Sequence, residues 1–357
     1  MDLSLITKVF NSLGVTPPSR LILLEAQTLS SAHVPPFPPD IPVLLLDIKS
    51  SDLVLHLKTV LLTTYPAEHV VHVVQNGKAE EGRLNDLEFS DSACIYIPPL
   101  EEGTSFESFA EIIAHLRAPN GCPWDREQTH ETLRKHLLEE AYETIAAIDS
   151  GDFNSMREEF GDLLLQVVLQ AQIANEDGQF NVNQVIQGIY SKIIRRHPHV
   201  FGDLKLEGVE GVLANWEKLK EKERGEKKDG KGLLDGVPVA LPALSQAQEY
   251  QDRAARVGFD WPEIEGVLDK VKEEIEEIKN AESDFELASE IGDLFFALVN
   301  VARWKNVDAE SALRGTNMKF KKRFAYVENG AKEQRRGLST LTLNEMEALW
   351  QKAKKSQ

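Results

Sequence analysis

The sequence predicts a mainly α-helical chain, in which two tandem all-α modules follow a small α/β domain. Two observations lead to this fold class. Long helical patterns dominate from Ser105 onward, whereas the residues before it form short apolar runs separated by turn residues. A set of short motifs then occurs twice in the same order, as expected of a duplicated module. The length of 357 residues fits two or three domains of roughly 150 residues each.

The first 103 residues are expected to combine strands with one clear helix. Short apolar runs typical of buried strands occur at Leu21–Leu24, Val43–Ile48, Val70–Val74 and Ala93–Ile97. Ser51–Thr64 instead repeats apolar residues at helical spacing. Proline clusters at Pro35–Pro39 and Pro98–Pro99 separate these segments. A small α/β domain over residues 1–103 follows.

The motifs of the helical region form an internal repeat. The first copy reads CPWD from Cys122, LLEEAYETI from Leu137, EEFGDLLLQ from Glu158 and KIIRRHPHVF from Lys192. The second copy reads GFDW from Gly258, VKEEIEEIK from Val271, SEIGDLFFA from Ser289 and KFKKRFAYV from Lys319. The copies therefore predict one helical module at residues 104–216 and another at 237–357. A charged segment rich in Lys, Glu and Gly joins them and predicts a linker at 217–236.

The composition excludes several classes of protein. Lys and Arg number 40 against 58 Asp and Glu, and the net charge of −18 argues against nucleic-acid backbones and anionic membranes as partners. Two cysteines, Cys94 and Cys122, supply neither a disulfide framework nor a zinc motif. No apolar run of about 18 residues predicts a membrane span, and the N-terminal residues lack the pattern of a cleaved leader. We therefore expect a cytoplasmic protein.

Four acidic residues in each repeat fall at helical spacing. Glu140 and Glu143 share one face of a predicted helix, and Glu159 and Asp162 share a face of the next. A short loop makes the two helices antiparallel neighbours, and Gly161 is expected to let them approach closely. The corresponding residues of the second repeat are Glu274, Glu277, Glu290 and Asp293, with Gly292 as the small residue.

Converging carboxylates require a cation, because they cannot all remain ionised without one. An all-oxygen ligand set favours Mg²⁺, with Mn²⁺ as a substitute. A set of basic residues follows each acidic set further along the chain, and the members of each set share about one helical turn: Lys192, Arg195 and Arg196, then Lys319, Lys322 and Arg323. Carboxylates beside Lys and Arg are typical of sites for polyphosphates. One isolated Glu pair is usually a solvated face, but the repeated order of acids and bases favours a site.

These motifs resemble the MazG-type nucleoside triphosphate pyrophosphohydrolases, from about Glu107 to Lys354. The resemblance implies an all-α fold and Mg²⁺-dependent hydrolysis of NTPs and dNTPs to nucleoside monophosphate and pyrophosphate, a housecleaning of the nucleotide pool. The family motif E-E-x-x-E followed by E-x-x-D is complete in both copies. It implies metal ligation by the four acids of each repeat. The second repeat is expected to be the main active one.

The resemblance also implies residues that hold the nucleotide. Lys319 and Arg323 would bind phosphates, with Lys270 and Glu273 nearby. Trp350 matches a tryptophan of the nucleotide site, and Lys354 follows it. Lys192 and Arg196 are the corresponding basic residues of the first repeat. Either Glu273 or Glu277 would accept a proton from the attacking water. Glu286 stands where some relatives have a lysine near the phosphates.

The N-terminal segment resembles the C-terminal half of a tetrapyrrole methylase domain, through PPFPPDIPVLLLDI, TTYPAEHVV and IYIPPL. The first half of such a domain, with its glycine-rich cofactor loop, is missing from this sequence. We therefore expect no methylation, and a docking or dimerisation role for residues 1–103.

Two other functions remain open from sequence. The repeats could form a nucleotide-binding regulatory module in which one or both sites do not turn over. Alternatively, the acids could lie on solvated faces of a scaffold. For the enzyme, the expected partners are nucleoside triphosphates and a second copy of the chain, with neither nucleic acid nor membrane bound.

Overall fold

The computed structural model describes residues 3–88, 93–212, 215–216, 218–219 and 232–355. Most of the predicted charged linker lies outside these residues. The chain divides into two compact units, residues 1–195 and 196–357. Unit 1 holds the α/β domain and the helices of the first repeat up to Arg195, and unit 2 holds the remainder. Within the described residues, no helix combines the length and apolarity needed to cross a membrane.

A five-stranded sheet forms the centre of the α/β domain. Its strands are β1 (Ile22–Glu25), β2 (Val43–Ile48), β3 (Val70–Gln75), β4 (Lys78–Arg83) and β5 (Ala93–Ile97), in the order β1-β2-β5-β3-β4. Only β1 and β2 run parallel, and the other neighbours are antiparallel. Asn76 and Gly77 both have positive φ and make the tight turn of the β3–β4 hairpin. The sequence pattern does not predict β4, because its residues are polar and it lies at the sheet edge.

Two helices cover the faces of this sheet. Helix α1 (Leu3–Leu13) packs by Val9 against Leu44 and Val74. Helix α2 (Ser51–Leu61) buries Leu57 and Leu61 in the larger apolar cluster on the opposite face. The Ser50 hydroxyl accepts the Leu53 N–H at 3.2 Å and caps α2. The predicted α/β domain is confirmed.

Unit 1 continues with five helices: α3 (Phe106–Arg117), α4 (Pro123–Glu127), α5 (His130–Ser150), α6 (Phe153–Glu176) and α7 (Val182–Arg196), whose last residue opens unit 2. Helices α5 and α6 form the predicted hairpin, which turns at Gly151 with φ 71°. Apolar residues of α3, α5 and α6, including Ile113, Leu133 and Leu169, pack together at its base. The buried Arg117 joins α3 to α6 by donating to Glu176 at 2.7–3.0 Å.

Unit 2 is all-α. Its helices are α8 (Pro198–Phe201), α9 (Ala243–Arg256), α10 (Ile264–Asn280), α11 (Asp284–Trp304), α12 (Ala309–Glu333) and α13 (Leu343–Lys355), and residues 208–212 are also helical. Helices α10 and α11 form a second hairpin, α9 packs on α11 and α12, and α13 packs on α12. The predicted order of helices therefore recurs in both repeats.

The Asp260 side chain fixes the segment that enters the second hairpin. It accepts hydrogen bonds from Arg303 at 2.6 Å and from the Trp304 indole at 3.2 Å. The Trp261 ring packs on Gly266, where an added Cβ would lie 2.3 Å from the ring. The GFDW motif thus has a structural role, as an anchor between the start of α10 and the end of α11.

Candidate functional site

The second hairpin brings three of the four predicted acids together. Among the described residues, one carboxylate oxygen from each of Glu274, Glu277 and Glu290 lies within 4.8 Å of the other two. Glu274 and Glu277 lie one turn apart on α10, and Glu290 faces them from α11. Asp293 is not one of these three, although it lies one turn beyond Glu290 on α11. We call these three residues the second acidic cluster.

Glu274 is the buried member of the second acidic cluster. Its side chain is 3% exposed, and its Oε1 accepts a hydrogen bond from the Lys270 ammonium at 2.7 Å. Its Oε2 is buried without a hydrogen-bond partner in the described structure. A buried carboxylate oxygen with no donor is unfavourable, so it marks a position where a cation can complete the site.

Lys270 bridges two carboxylates at the edge of this cluster. Besides Glu274, it donates to Glu273 at 2.8 Å. These two hydrogen bonds raise the pKa of the Lys270 ammonium above its ordinary value. Burial, followed by the carboxylates of Glu274 and Glu290, raises the pKa of Glu277. The cluster therefore concentrates negative charge that a single ammonium only partly offsets.

The first hairpin also forms a three-carboxylate cluster, but it includes Asp162 and leaves out Glu143, whereas the second includes Glu277 and leaves out Asp293. One oxygen from each of Glu140, Glu159 and Asp162 lies within 4.8 Å of the other two, and all three residues are half-buried. Burial, then the charges of Asp162, Glu143 and Glu159, raises the pKa of Glu140, while His136 opposes this effect. Burial, then Glu143 and Asp162, likewise raises the pKa of Glu159. Glu143 therefore lies close enough to repel the charges of Glu140 and Glu159, although it is not one of the three grouped acids.

The glycines beside the acids do not act as sequence analysis expected. A Cβ added at Gly161 or Gly292 would meet nothing within 4 Å, so neither glycine is needed for close approach of the helices. This prediction is wrong, because both glycines face open space rather than the partner helix. They leave room beside the acids for a bound molecule.

The predicted basic residues of the second repeat lie along α12. Lys319 and Lys322 line a groove of about 650 Å³ together with Tyr326 and Asn329. The Arg323 guanidinium carbon lies 6.0 Å from the centre of the Trp350 ring on α13. Phe320 also contacts this indole, with ring centres 5.1 Å apart. Arg323, a residue type that often binds phosphate, therefore lies beside the aromatic ring of Trp350.

The contact between α12 and α13 that positions Trp350 depends on a small residue. Gly330 packs against Leu349, and an added Cβ would lie 2.7 Å from its side chain. Lys354 lies one turn after Trp350, on an exposed part of α13. Glu286 is used locally, because its carboxylate accepts the Glu282 N–H at 2.9 Å at the start of α11. It therefore stabilises the helix start.

In the first repeat, Lys192 and Arg196 lie one turn apart at the end of α7. The sequence pattern did not single out Trp216, which lies beside Arg196. The Arg196 guanidinium carbon lies 5.9 Å from the centre of the Trp216 ring. The signal was present in the repeat, because NWEKLK around Trp216 matches LWQKAK around Trp350.

Comparison with known proteins identifies the same regions. A sequence model of the MazG nucleotide pyrophosphohydrolase domain matches residues 128–201 and 264–327. These ranges contain both acidic clusters and the predicted basic residues of α7 and α12, but neither Trp216 nor Trp350.

Three relatives are similar over most of the chain. The nucleoside triphosphate pyrophosphohydrolase/pyrophosphatase MazG of Thermotoga maritima is 45% identical over 254 residues, which is 71% of this chain and 97% of the relative. The nucleoside triphosphate pyrophosphohydrolase of Escherichia coli is 45% identical over 252 residues, which is 69% of this chain and 95% of the relative. The uncharacterized protein YabN of Bacillus subtilis is 38% identical over 318 residues, which is 84% of this chain and 65% of the relative.

Proposed function

The chain belongs to the MazG nucleotide pyrophosphohydrolase family, and we propose that it hydrolyses nucleoside triphosphates. NTPs and dNTPs alike would be cleaved to nucleoside monophosphate and pyrophosphate. Such an enzyme removes unwanted nucleotides from the cytoplasmic pool, and we propose that it acts there. The observation that carries the proposal is the buried Glu274 oxygen without a partner, at the centre of a three-carboxylate cluster within the matched region.

Mg²⁺ fits the second acidic cluster. All its donors are carboxylate oxygens, which Mg²⁺ and Mn²⁺ prefer, and the buried Glu274 Oε2 has no hydrogen-bond partner among the described residues. Glu274, Glu277 and Glu290 would hold the ion, and Asp293 is the proposed fourth ligand. Glu140, Glu143, Glu159 and Asp162 would do the same in the first repeat. When bound, the ion would neutralise charge on the phosphates during hydrolysis.

We assign the remaining tasks to the predicted basic, aromatic and acidic residues of the second repeat. Lys319 and Arg323 would bind the phosphates and stabilise their developing charge. Trp350 would contact the nucleoside and Lys354 the phosphates, while Lys270 would turn from Glu274 towards the substrate. Because Glu277 is grouped with the proposed ligands, we assign the proton acceptor to Glu273, which is exposed and paired with Lys270. A Glu273→Gln variant is then expected to lose kcat while Mg²⁺ affinity is retained.

Pyrophosphate release from a panel of eight NTPs and dNTPs tests the reaction, with Mg²⁺ and with chelator. We expect release of pyrophosphate and nucleoside monophosphate only with Mg²⁺. The double variant Glu290→Gln/Asp293→Asn should lose most activity while remaining folded. Glu276→Gln is the matched control, because this exposed α10 carboxylate pairs with Lys279 and not with the cluster. Unchanged Mg²⁺-dependent turnover in the double variant would reject the second cluster as the active site.

A specific observation favours a different role for the first repeat. His136 stands at the position that Lys270 occupies in the second repeat, four residues before the central glutamate. The first cluster therefore lacks the ammonium that bridges two carboxylates in the second. We propose that the first repeat binds nucleotide with little or no turnover. Full loss of activity in the Glu290→Gln/Asp293→Asn variant would agree with this, whereas half of the activity remaining would contradict it.

We further propose that the enzyme is a homodimer. Large apolar side chains are exposed on the helical faces of both units, including Leu138, Phe160 and Tyr190 in unit 1 and Phe295 and Phe296 in unit 2. Light scattering should give the mass of two chains, and Tyr190→Glu on α7 should lower it. Val239→Glu, at an 87% exposed residue that precedes α9, is the control and should leave the mass unchanged. A monomer in the unaltered protein would reject this proposal.

The boundaries 1–103, 104–216, 217–236 and 237–357 remain our proposed division of the chain. The N-terminal domain has no residue in the proposed chemistry, and we propose that it serves docking or dimerisation. Deletion of residues 1–103 is expected to leave pyrophosphate release intact and to alter the number of chains in the assembly. Loss of release from a folded, truncated chain would contradict this division.

A further inference from the structure

Each repeat contains one arginine placed over one tryptophan with almost the same separation. The guanidinium carbon of Arg196 lies 5.9 Å from the centre of the Trp216 ring, and that of Arg323 lies 6.0 Å from the centre of the Trp350 ring. Both residues of the first pair lie in unit 2, so this contact is internal to one compact unit. The pairs are therefore the same structural feature, formed twice.

Sequence position supports this equivalence. Each arginine follows a lysine by one helical turn, Lys192 before Arg196 and Lys319 before Arg323. Each tryptophan lies in a helical segment and is followed by lysines in the pattern W-x-K-x-K. A guanidinium beside lysine suits phosphate groups, and an indole face suits a nucleobase or sugar.

The surroundings of the first pair are more polar than those of the second. His197 and His199 have ring centres 5.7 Å apart, at the positions that Phe324 and Tyr326 occupy in the second repeat. Asn215 precedes Trp216, where Leu349 precedes Trp350. His199 Nδ1 and Asn215 Nδ2 are buried atoms without a hydrogen-bond partner among the described residues. Buried polar atoms are usually hydrogen-bonded in folded proteins, so these two atoms can make hydrogen bonds to a polar ligand.

We propose that Arg196 and Trp216 form a second nucleotide-binding element, which holds a nucleoside phosphate in the first repeat. The indole stacks on the base, the guanidinium binds phosphate, and His199 and Asn215 supply hydrogen bonds to polar atoms of the base or sugar. The class of ligand, a nucleoside phosphate, rests on the proposed function. Trp216 and Asn215, however, lie outside the regions that the family model matches. This second element gives the full chain two nucleotide sites.

Calorimetric titration of the full chain with α,β-methylene-ATP and Mg²⁺ tests the inference, because this analogue resists cleavage at the α–β bond. We expect two equivalents per chain. Trp216→Ala should weaken one of them by roughly tenfold or more, as expected from the loss of base stacking. Trp216→Phe retains an aromatic plane and should keep most of the affinity. Trp350→Ala should weaken the other equivalent instead.

Two further measurements separate stacking from a structural role. Inorganic tripolyphosphate, which has no base, should bind Trp216→Ala and the unaltered chain equally, whereas Arg196→Gln should weaken its binding. Trp124→Ala is the matched control, because this tryptophan is 57% exposed on α4, and it should bind two equivalents unchanged. Thermal unfolding of each variant shows whether it is folded.

One equivalent in the unaltered chain, or a Trp216→Ala isotherm equal to that of Trp124→Ala, would overturn the inference. Equal losses for the analogue and for tripolyphosphate in Trp216→Ala would also overturn it. The proposed function fails separately, because it is judged by pyrophosphate release. A chain that releases pyrophosphate but binds one equivalent rejects only the second site, and a chain that binds two equivalents without release rejects only the reaction.

Discussion

Replacing Lys270 by methionine is expected to destabilise unit 2 in the absence of metal. The substitution keeps the apolar stem but removes the ammonium that donates to Glu274 at 2.7 Å. Glu274, whose side chain is 3% exposed, would then carry a charge without a counter-charge. Removing one partner of a fully buried ion pair costs about 3–5 kcal/mol, and an exposed pair contributes less than about 1 kcal/mol.

The expected loss lies between these limits, because the Lys270 side chain is 38% exposed and water screens part of the interaction. We expect a loss of about 1–3 kcal/mol in the free energy of unfolding. At about 2–4 °C per kcal/mol for a unit of this size, the Tm falls by several degrees in chelator. Mg²⁺ should restore most of this loss, since the ion would replace the ammonium as counter-charge of Glu274.

Urea and thermal unfolding in chelator and in Mg²⁺ measure both effects. Lys272→Met is the matched control, because Lys272 pairs with Asp269 on the exposed side of the same helix. It should change stability by less than about 0.5 kcal/mol in either buffer. In a Glu274→Gln background, Lys270→Met should become nearly neutral. Equal losses for Lys270→Met and Lys272→Met in chelator would refute the reasoning, as would a loss that Mg²⁺ does not reduce.

Three other outcomes are expected. Gly330→Ala should destabilise the α12–α13 contact by about 1–3 kcal/mol and weaken nucleotide binding, because the added Cβ would lie 2.7 Å from Leu349. Arg117→Met should cost about 1–3 kcal/mol in urea unfolding, since Glu176 loses its buried partner but is 36% exposed, so water offsets part of the loss. In chelator, the free energy of unfolding should fall as pH rises above 4.5. The folded state holds the proton of Glu140 more tightly than the unfolded chain does, and the stability that this proton contributes is lost as pH passes the raised pKa of Glu140.

Each outcome has a matched control. Gly315→Ala adds a methyl group to the same helix where nothing lies within 4 Å, so it should be neutral or stabilising by up to about 1 kcal/mol. Arg83→Met removes an exposed pair and should have little effect. Glu140→Gln should flatten the pH dependence, as should saturating Mg²⁺. The structural argument would be contradicted if Gly315→Ala lost more stability than Gly330→Ala, or Arg83→Met more than Arg117→Met. An unchanged pH dependence of stability in Glu140→Gln would also contradict it.

Much of the site could be predicted because helical spacing is local. Glu274 and Glu277 share a face whatever surrounds them, and a short loop is enough to bring Glu290 opposite. Strands of the α/β domain were predicted where the sequence forms an apolar run, as in β2 and β5, which are buried on both faces. The exposed edge strand β4 was not, because its sequence carries no apolar alternation. Trp216 was missed although its motif repeats, since one tryptophan in a charged segment resembles a solvated helix.

The sequence by itself determined the repeat, the acidic pairs, the sets of basic residues and the fold class, because all of these depend on spacing along one helix or on order along the chain. Only the tertiary structure decided which three acids of each four converge, that Lys270 bridges Glu273 and Glu274, and that the helix glycines face open space. It also decided that Arg196 lies over Trp216. These features depend on the rotation and separation of packed helices, which many distant side chains set together and no local pattern specifies.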